Sequence, residues 1–290
     1  MSTSLSEEFR LPEATRVGPP VLRVKDLERM LGFYQGVFGL QVNRKNEDLI
    51  YLGFGKMKSH ADPLLVLKHD PSARETQHDF AGLYHFAILV PDRKSLAQAY
   101  LGIQRKAQFD GFGDHLVSES LYMHDPEHNG IEIYRDRPRS EWPRKDGKIV
   151  MDTQALDFDG ILSELSKEDV SQEAFPNGAR IGHIHLRVTD LERSARFYHE
   201  KLGFDVTFDL SSMGAMFLSA GGYHHHIGLN TWHSLNGKSH EAWEAGLEQF
   251  TIEVPSPLNK IDSRLEGTKI SDNELLVSDP DNIPVLVRSV

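Results

Sequence analysis

The stretch VGPPVLRVKDLERMLGFYQGVFGLQV (17–42) returns later in the chain as IGHIHLRVTDLERSARFYHEKLGFDV (181–206). Twelve of the 26 aligned positions are identical, and the same offset aligns GLYHFAILVP (82–91) with GLEQFTIEVP (246–255). The chain is therefore an internal duplication. In a duplication, the positions at which the two copies differ are the informative ones.

Three residues with metal-binding side chains each occur in one copy and face a residue without such a chain, or an amide, at the equivalent position of the other copy. These residues, each with its counterpart in the other copy, are His183 (Pro19), His85 (Gln249) and Glu132 (Val285, or Leu286 if the alignment has no gap). Two histidines and one carboxylate are the ligand set of a non-haem Fe(II) site. His183 lies in the second copy, whereas His85 and Glu132 lie in the first, so the repeat predicts one metal site with ligands from both copies.

Strand-like and helix-like patterns alternate in the same order four times. Each time a strand precedes a helix and further strands follow, although the strand directly after the first helix is weakly defined, so the coarse prediction is an α+β fold with four βαβββ modules. The predicted helices cover 26–40, 93–106, 190–204 and a region around Leu258–Leu265. Modules one and two form a first half over 17–138, a linker covers 139–180, and modules three and four form a second half over 181–290.

Composition restricts the class of protein. The length of 290 residues suits two domains, and the net charge of −11 argues against a general nucleic-acid surface. The absence of Cys excludes disulfides and thiol ligands. The N-terminus is polar and the sequence has no long apolar run, so we expect neither a signal peptide nor a membrane segment. These features predict a cytoplasmic protein.

Four motifs give the chain a resemblance to a known superfamily. They are GLYHFAIL (82–89), DHLVSESLYMHDPEHNGIEIY (114–134), GHIHLRV (182–188) with LERSARFY (191–198), and YHHHIGLN (223–230). The chain resembles the vicinal-oxygen-chelate superfamily, which contains glyoxalases, bleomycin-resistance proteins and extradiol dioxygenases. Within it, the chain is similar to the bacterial extradiol (catechol 2,3-) dioxygenases.

The resemblance implies a fold, a cofactor and a reaction. Modules pair so that eight strands curl around a metal cup, which gives two open β-barrels. The metal is Fe(II), with Mn(II) as a possible substitute, and the substrates are a small aromatic diol and O₂. Cleavage takes place beside the two hydroxyl groups, and the enzymes form homo-oligomers.

The resemblance assigns His85, Glu132 and His183 as metal ligands. Each has a plainer alternative: a hydrogen-bonded buried pair for His183 and His185, a core histidine for His85, and a surface carboxylate for Glu132. His85 and Glu132 belong to module two, whereas His183 belongs to module three. We therefore expect modules two and three to close the catalytic cup, unless the cup closes between two chains.

Three further residues are candidates for roles near the metal. The resemblance places an acid–base role on His225 and contacts with substrate or oxygen on His115 and Tyr122. The alternatives are a surface histidine tract at 224–226 and a loop-packing role for His115.

Three other functions compete with the extradiol reaction. A glyoxalase-like isomerase or lyase of this superfamily uses a fourth ligand, a second carboxylate, which the strand around YHHHIGLN (223–230) does not offer. A metal-free binding protein of the resistance type has no use for the three unmatched ligand residues. A dioxygenase for hydroquinones is not excluded by any residue.

Overall fold

The computed structural model describes residues 9–55, 63–77, 79–171, 175–258 and 264–290. The strands are β1 Arg16–Val17, β2 Val21–Val24, β3 Gln41–Asn46, β4 Leu49–Gly53, β5 Leu65–His69, β6 Gly82–Leu89, β7 Gly111–Asp114, β8 Ser118–His124, β9 Gly130–Asp136, β10 Arg144–Lys145, β11 Lys148–Ile149, β12 Arg180–Arg187, β13 Asp205–Leu210, β14 Ala215–Ser219, β15 Ile227–Asn230, β16 Gly246–Val254, β17 Thr268–Ser271, β18 Glu274–Ser278 and β19 Pro284–Ser289. The helices are α1 Leu27–Phe38, α2 Arg93–Gln104, α3 Phe158–Ser163, α4 Lys167–Ser171 and α5 Leu191–Arg196.

Two large sheets contain nearly all of these strands. One sheet has the order β13-β14-β15-β12-β6-β9-β8-β7, and we call it the module 2–3 sheet. The other has the order β17-β18-β19-β16-β2-β5-β4-β3, with β1 beside β16, and we call it the module 1–4 sheet. Each sheet therefore takes one module from each half of the sequence. The predicted fold class, α+β with two curled sheets built from βαβββ modules, is confirmed.

Aspartate side chains begin the main helices. Asp26, Asp92 and Asp190 each accept a hydrogen bond from the backbone N–H three residues later, which satisfies a donor that the first helical turn leaves unpaired. The predicted helix at 190–204 is α5 followed by a π-helical turn over Phe197–Lys201. The helix predicted around 258–265 falls mainly on residues 259–263, outside the described residues.

Two buried tyrosine–aspartate hydrogen bonds join the sheets. The Tyr34 hydroxyl, on α1 of module one, donates to Asp125 Oδ2 in module two at 2.7 Å. The Tyr198 hydroxyl of module three donates to Asp279 Oδ2 in module four at 3.0 Å. Each bond links two modules that are neighbours in the sequence but lie in different sheets, so the sheets are held by specific polar contacts as well as by the shared apolar core.

No helix in the described parts of the chain is long and apolar enough to cross a membrane.

Candidate metal centre

Three central strands of the module 2–3 sheet carry the predicted ligands. His85 lies on β6, Glu132 on β9 and His183 on β12. Ala87 of β6 pairs with His183 on one side and with Glu132 on the other. Because Ala87 is small and fully buried, the two larger side chains can converge above it. The structure therefore brings all three residues together within one chain.

The ligand atoms have the spacing that a facial metal site requires. Glu132 Oε2 lies 3.0 Å from His85 Nε2 and 3.0 Å from His183 Nε2. The two imidazole Nε2 atoms are 3.3 Å apart. Ligands about 2.1 Å from an ion and at right angles to one another are about 3.0 Å apart. One ion can thus contact all three atoms, and among the described residues the group holds no fourth His or carboxylate.

Burial and charge prepare these groups for a cation. Burial lowers the pKa of His183 to about 4, although Glu132 pulls in the other direction. Burial also favours the protonated form of Glu132, but the charges and hydrogen bonds of His183 and His85 outweigh it and hold the pKa of this carboxyl well below its usual range. At neutral pH the site thus contains a carboxylate and a neutral imidazole, the protonation states in which these groups bind metals.

Ser120 orients the carboxylate, a role that sequence analysis did not predict. Its hydroxyl donates to Glu132 Oε1 at 2.6 Å, and both side chains are buried. This leaves Oε2 for the two histidines. A serine on a strand has many possible roles, and only the pairing of β8 with β9 shows that this one faces Glu132.

His225 lies beside the ligand group. Its ring centroid is 4.1 Å from that of His183. The strand expected from residue 223 begins instead at Ile227, so 223–226 form an irregular segment in which side chains need not alternate. Within it, His224 Nε2 lies 2.7 Å from Asp136 Oδ1, and His226 Nδ1 accepts a hydrogen bond from the Ala220 backbone at 3.2 Å. Each histidine of the tract has a different setting, and the tract is at least half-buried rather than a surface feature.

Tyr122 and His115 form a pair on the other side of the group. Tyr122 on β8 is directly opposite Glu132 in the ladder, and its ring lies 5.9 Å from that of His85. His115 Nε2 lies 2.6 Å from the Tyr122 hydroxyl, while His115 Nδ1 faces the Asp152 carbonyl at 3.2 Å. Nδ1 therefore carries the proton and Nε2 accepts from Tyr122. Burial and the charge of Glu132 raise the pKa of Tyr122 well above its usual range, so its hydroxyl stays protonated.

Two glycines make room for the histidines of β12. A Cβ atom on Gly182 would lie 1.9 Å from the Tyr134 hydroxyl, and one on Gly228 would lie 2.8 Å from His185 Cγ. Tyr134 packs against His183 with ring centroids 4.8 Å apart. His185 faces the same side as His183, with its ring 5.0 Å from that of His85. Gly182 thus allows the Tyr134 ring to lie against β12, and Gly228 on β15 leaves space for the His185 ring.

The module 1–4 sheet shows what the equivalent positions contain. Thr251, the counterpart of Ala87, pairs with Leu286 just as Ala87 pairs with Glu132. The register therefore identifies Leu286, and not Val285, as the counterpart of Glu132. With Pro19 and Gln249 in place of the histidines, this sheet has no equivalent of the metal-binding set.

Comparisons with known proteins agree with this site. Residues 16–133 and 180–254 match the family described as the Glyoxalase/Bleomycin resistance protein/Dioxygenase superfamily. The chain is 41% identical over 276 residues to a catechol-2,3-dioxygenase of Bacillus subtilis (strain 168), which covers 92% of this chain and 95% of the relative.

Solved structures share the fold. A putative dioxygenase from Bacillus subtilis superposes with a TM-score of 0.63 at 11% identity, covering 97% of this chain and 86% of the other. Glyoxalase I from Zea mays superposes with a TM-score of 0.56 at 18% identity, covering 95% and 92%. At such low identity these likenesses concern the fold alone.

Proposed function

Because the chain belongs to the Glyoxalase/Bleomycin resistance protein/Dioxygenase superfamily, we propose that His85, Glu132 and His183 hold an Fe(II) ion at which an aromatic diol is cleaved. The chain is an extradiol dioxygenase, as its 41% identity to a catechol-2,3-dioxygenase indicates. The observation that carries the ligand assignment is the convergence of three unmatched residues of the repeat on one point. Held by these three residues, such an ion would supply Lewis-acid chemistry that lowers the pKa of the diol hydroxyls and the redox chemistry that activates O₂.

The protein supplies orientation and proton transfer. His225 Nδ1 lies 2.8 Å from His224 Nδ1, which leaves Nε2 as the nitrogen that can take a proton from the substrate and return it. On the other side, the Tyr122 hydroxyl donates its proton to His115 Nε2, so its oxygen can accept a hydrogen bond from a substrate hydroxyl.

Three finer points belong to the same proposal. Fe(II) is preferred to Mn(II) because two imidazoles and one carboxylate are the set typical of iron oxygenases. The resemblance to the extradiol dioxygenases also implies a homo-oligomer, which light scattering tests. The lack of Cys suits a reducing compartment and thus a cytoplasmic location, which cell fractionation tests.

The repeat offers a matched pair of variants for the decisive experiment. His85→Ala removes a proposed ligand, whereas Gln249→Ala alters its counterpart in the module 1–4 sheet. Metal content, O₂ uptake and yellow ring-cleavage product from catechol are measured after anaerobic Fe(II) loading. We expect about one metal per chain and turnover in the wild type and in Gln249→Ala, with loss of both in His85→Ala.

The other outcomes separate the competing functions. Metal binding without O₂ uptake on any catechol would favour an isomerase, or a hydroquinone dioxygenase if hydroquinone is consumed. Absence of metal after loading would contradict the ligand assignment and leave a metal-free binding protein.

A further inference from the structure

A group of buried polar atoms beside the ligand group has no hydrogen-bond partner. The atoms are His185 Nε2 and Arg187 Nε on β12 and Asn230 Nδ2 on β15, the strand that pairs with β12. His185 is 4% exposed and Asn230 is fully buried. Leaving a buried polar group unpaired destabilises a protein, so three such groups together indicate a place that a polar ligand completes.

The module 1–4 sheet has a carboxylate at the same place. Arg23 and Lys68 pair across β2 and β5 just as Arg187 and Asn230 pair across β12 and β15. The Glu248 carboxylate bridges them: Oε2 accepts from Arg23 Nη2, and Oε1 lies 2.5 Å from Lys68 Nζ. In that sheet the polar groups are therefore satisfied from within the chain.

In the module 2–3 sheet, the carboxylate is replaced by an aromatic ring. The counterpart of Glu248 is Tyr84, and each of the two is the extra residue of a β-bulge in its strand. A bulge redirects a side chain, so both positions point towards the concave side of their sheet. Tyr84 packs against Trp232 with ring centroids 5.2 Å apart, and the two are 37% and 47% exposed. Two partly exposed rings thus border the place where the other sheet has an anion.

In the module 1–4 sheet, one cavity is lined both by the counterparts of the metal ligands and by the ion pair of Lys68 with Glu248. Its volume is about 460 Å³, and its walls include Pro19, Gln249 and Leu286, the counterparts of the three ligands, together with Lys68 and Glu248. In the module 2–3 sheet, the Tyr84 ring lies 5.3 Å from the ring of the candidate ligand His85, so the equivalent position adjoins the ligand group. His183 and Arg187 are about 13 Å apart along β12. A catechol with a short acidic side chain and the extended arginine side chain span that distance together.

We propose that the substrates of this enzyme are catechols that bear a carboxylate, and that Arg187 and Asn230 bind this group where the other sheet has the Glu248 side chain. The proposal rests on the extradiol function proposed above. Glu244 interacts electrostatically with Arg187, but no hydrogen bond joins the two side chains: Glu244 Oε2 accepts from the Glu241 backbone and lies 3.4 Å from His240 Nδ1, while its buried Oε1 has no hydrogen-bond partner. Among the described residues, Arg187 forms no ion pair.

The test compares catechols that differ only in charge. The Fe(II)-loaded enzyme is given methylcatechol and catechols with a carboxylate on the ring or one or two methylene groups away, and kcat/KM is measured for each. We expect the wild type to prefer one of the carboxylates. Arg187→Met should lower the ratio of kcat/KM for that carboxylate over methylcatechol at least about 30-fold, the loss typical of an unpaired buried charge. Arg23→Met, the matched control in the other sheet, should leave the ratio unchanged.

A second variant covers the case in which Arg187→Met fails to fold. Tyr84→Glu places a carboxylate as in the module 1–4 sheet, so it should abolish the preference by occupying the anion position; a preference that survives would overturn the proposal. So would a wild type that cleaves methylcatechol at least as well as every carboxylate. A wild type that cleaves no catechol would instead refute the extradiol function itself.

Discussion

Ser120→Ala tests whether the hydrogen bond to Glu132 prepares the ligand group. The 2.6 Å bond from Ser120 Oγ to Glu132 Oε1 is charge-assisted and buried. Such bonds stabilise a fold by about 1.5–3 kcal/mol, and partners that orient a metal ligand contribute about 10- to 100-fold to metal affinity. We therefore expect the variant to lose about 1.5–3 kcal/mol of unfolding free energy without metal, and to bind Fe(II) about 10- to 100-fold more weakly.

Two measurements check this expectation. Urea unfolding of the metal-free protein gives the stability, and competition with a chelator under anaerobic conditions gives the affinity. Ser118→Ala is the control, since Ser118 is also buried on β8 but pairs with Asp136, away from the ligands. An affinity within twofold of the wild type in Ser120→Ala would refute the argument that this hydroxyl holds the carboxylate in place.

Three further predictions concern other parts of the chain. Burial raises the pKa of Asp279 from 3.8 to about 7, so the unfolded chain releases this proton first. The free energy of unfolding should therefore fall by up to about 4 kcal/mol as pH rises from about 4 to about 7, and Asp279→Asn should flatten that slope in urea titrations at several pH values. His225→Gln should lower kcat about 10²- to 10⁴-fold while metal content, measured by atomic absorption, stays at the wild-type level; loss of the metal would contradict a purely acid–base role. Tyr34→Phe removes one of the two donors to the buried Asp125 Oδ2, the other being the Asn129 amide, and should cost about 1–3 kcal/mol in thermal unfolding; an unchanged melting temperature would show that water replaces the hydroxyl.

The duplication made the main features of the fold predictable from sequence. Helix starts at Asp26 and Asp190 follow from local capping chemistry, and the four-module order follows from periodicity. His85, Glu132 and His183 could be singled out because the repeat has other residue types at the equivalent positions. A sheet that binds no metal does not need ligand side chains there, so other residues can replace them. Comparing the two copies thus singled out these residues, although the sequence does not show which strands are neighbours in the sheet.

Other parts of the site depend on register, which one sequence does not reveal. Whether Val285 or Leu286 corresponds to Glu132 depends on one residue of strand shift, and only the pairing with Thr251 settles it. The strand expected from residue 223 begins four residues later, because His224 and His226 bond to groups outside the ladder. Ser120 and the bulge at Tyr84 likewise acquire their meaning from the strands opposite.

The exchange of modules between the two sheets has a consequence for the order of assembly. The module 2–3 sheet is built from residues 82–230, a continuous middle section of the chain, whereas β2 of the module 1–4 sheet pairs with β16 near the other end. During synthesis, the strands that carry the candidate metal ligands can therefore pair while β2, which already has β5 on one side, still lacks β16 on the other. The first module must wait for module four for most of translation, and the open edge of its apolar strand is then exposed to wrong contacts. The module 2–3 sheet thus joins strands that are closer together in the sequence, and the module 1–4 sheet completes the fold last.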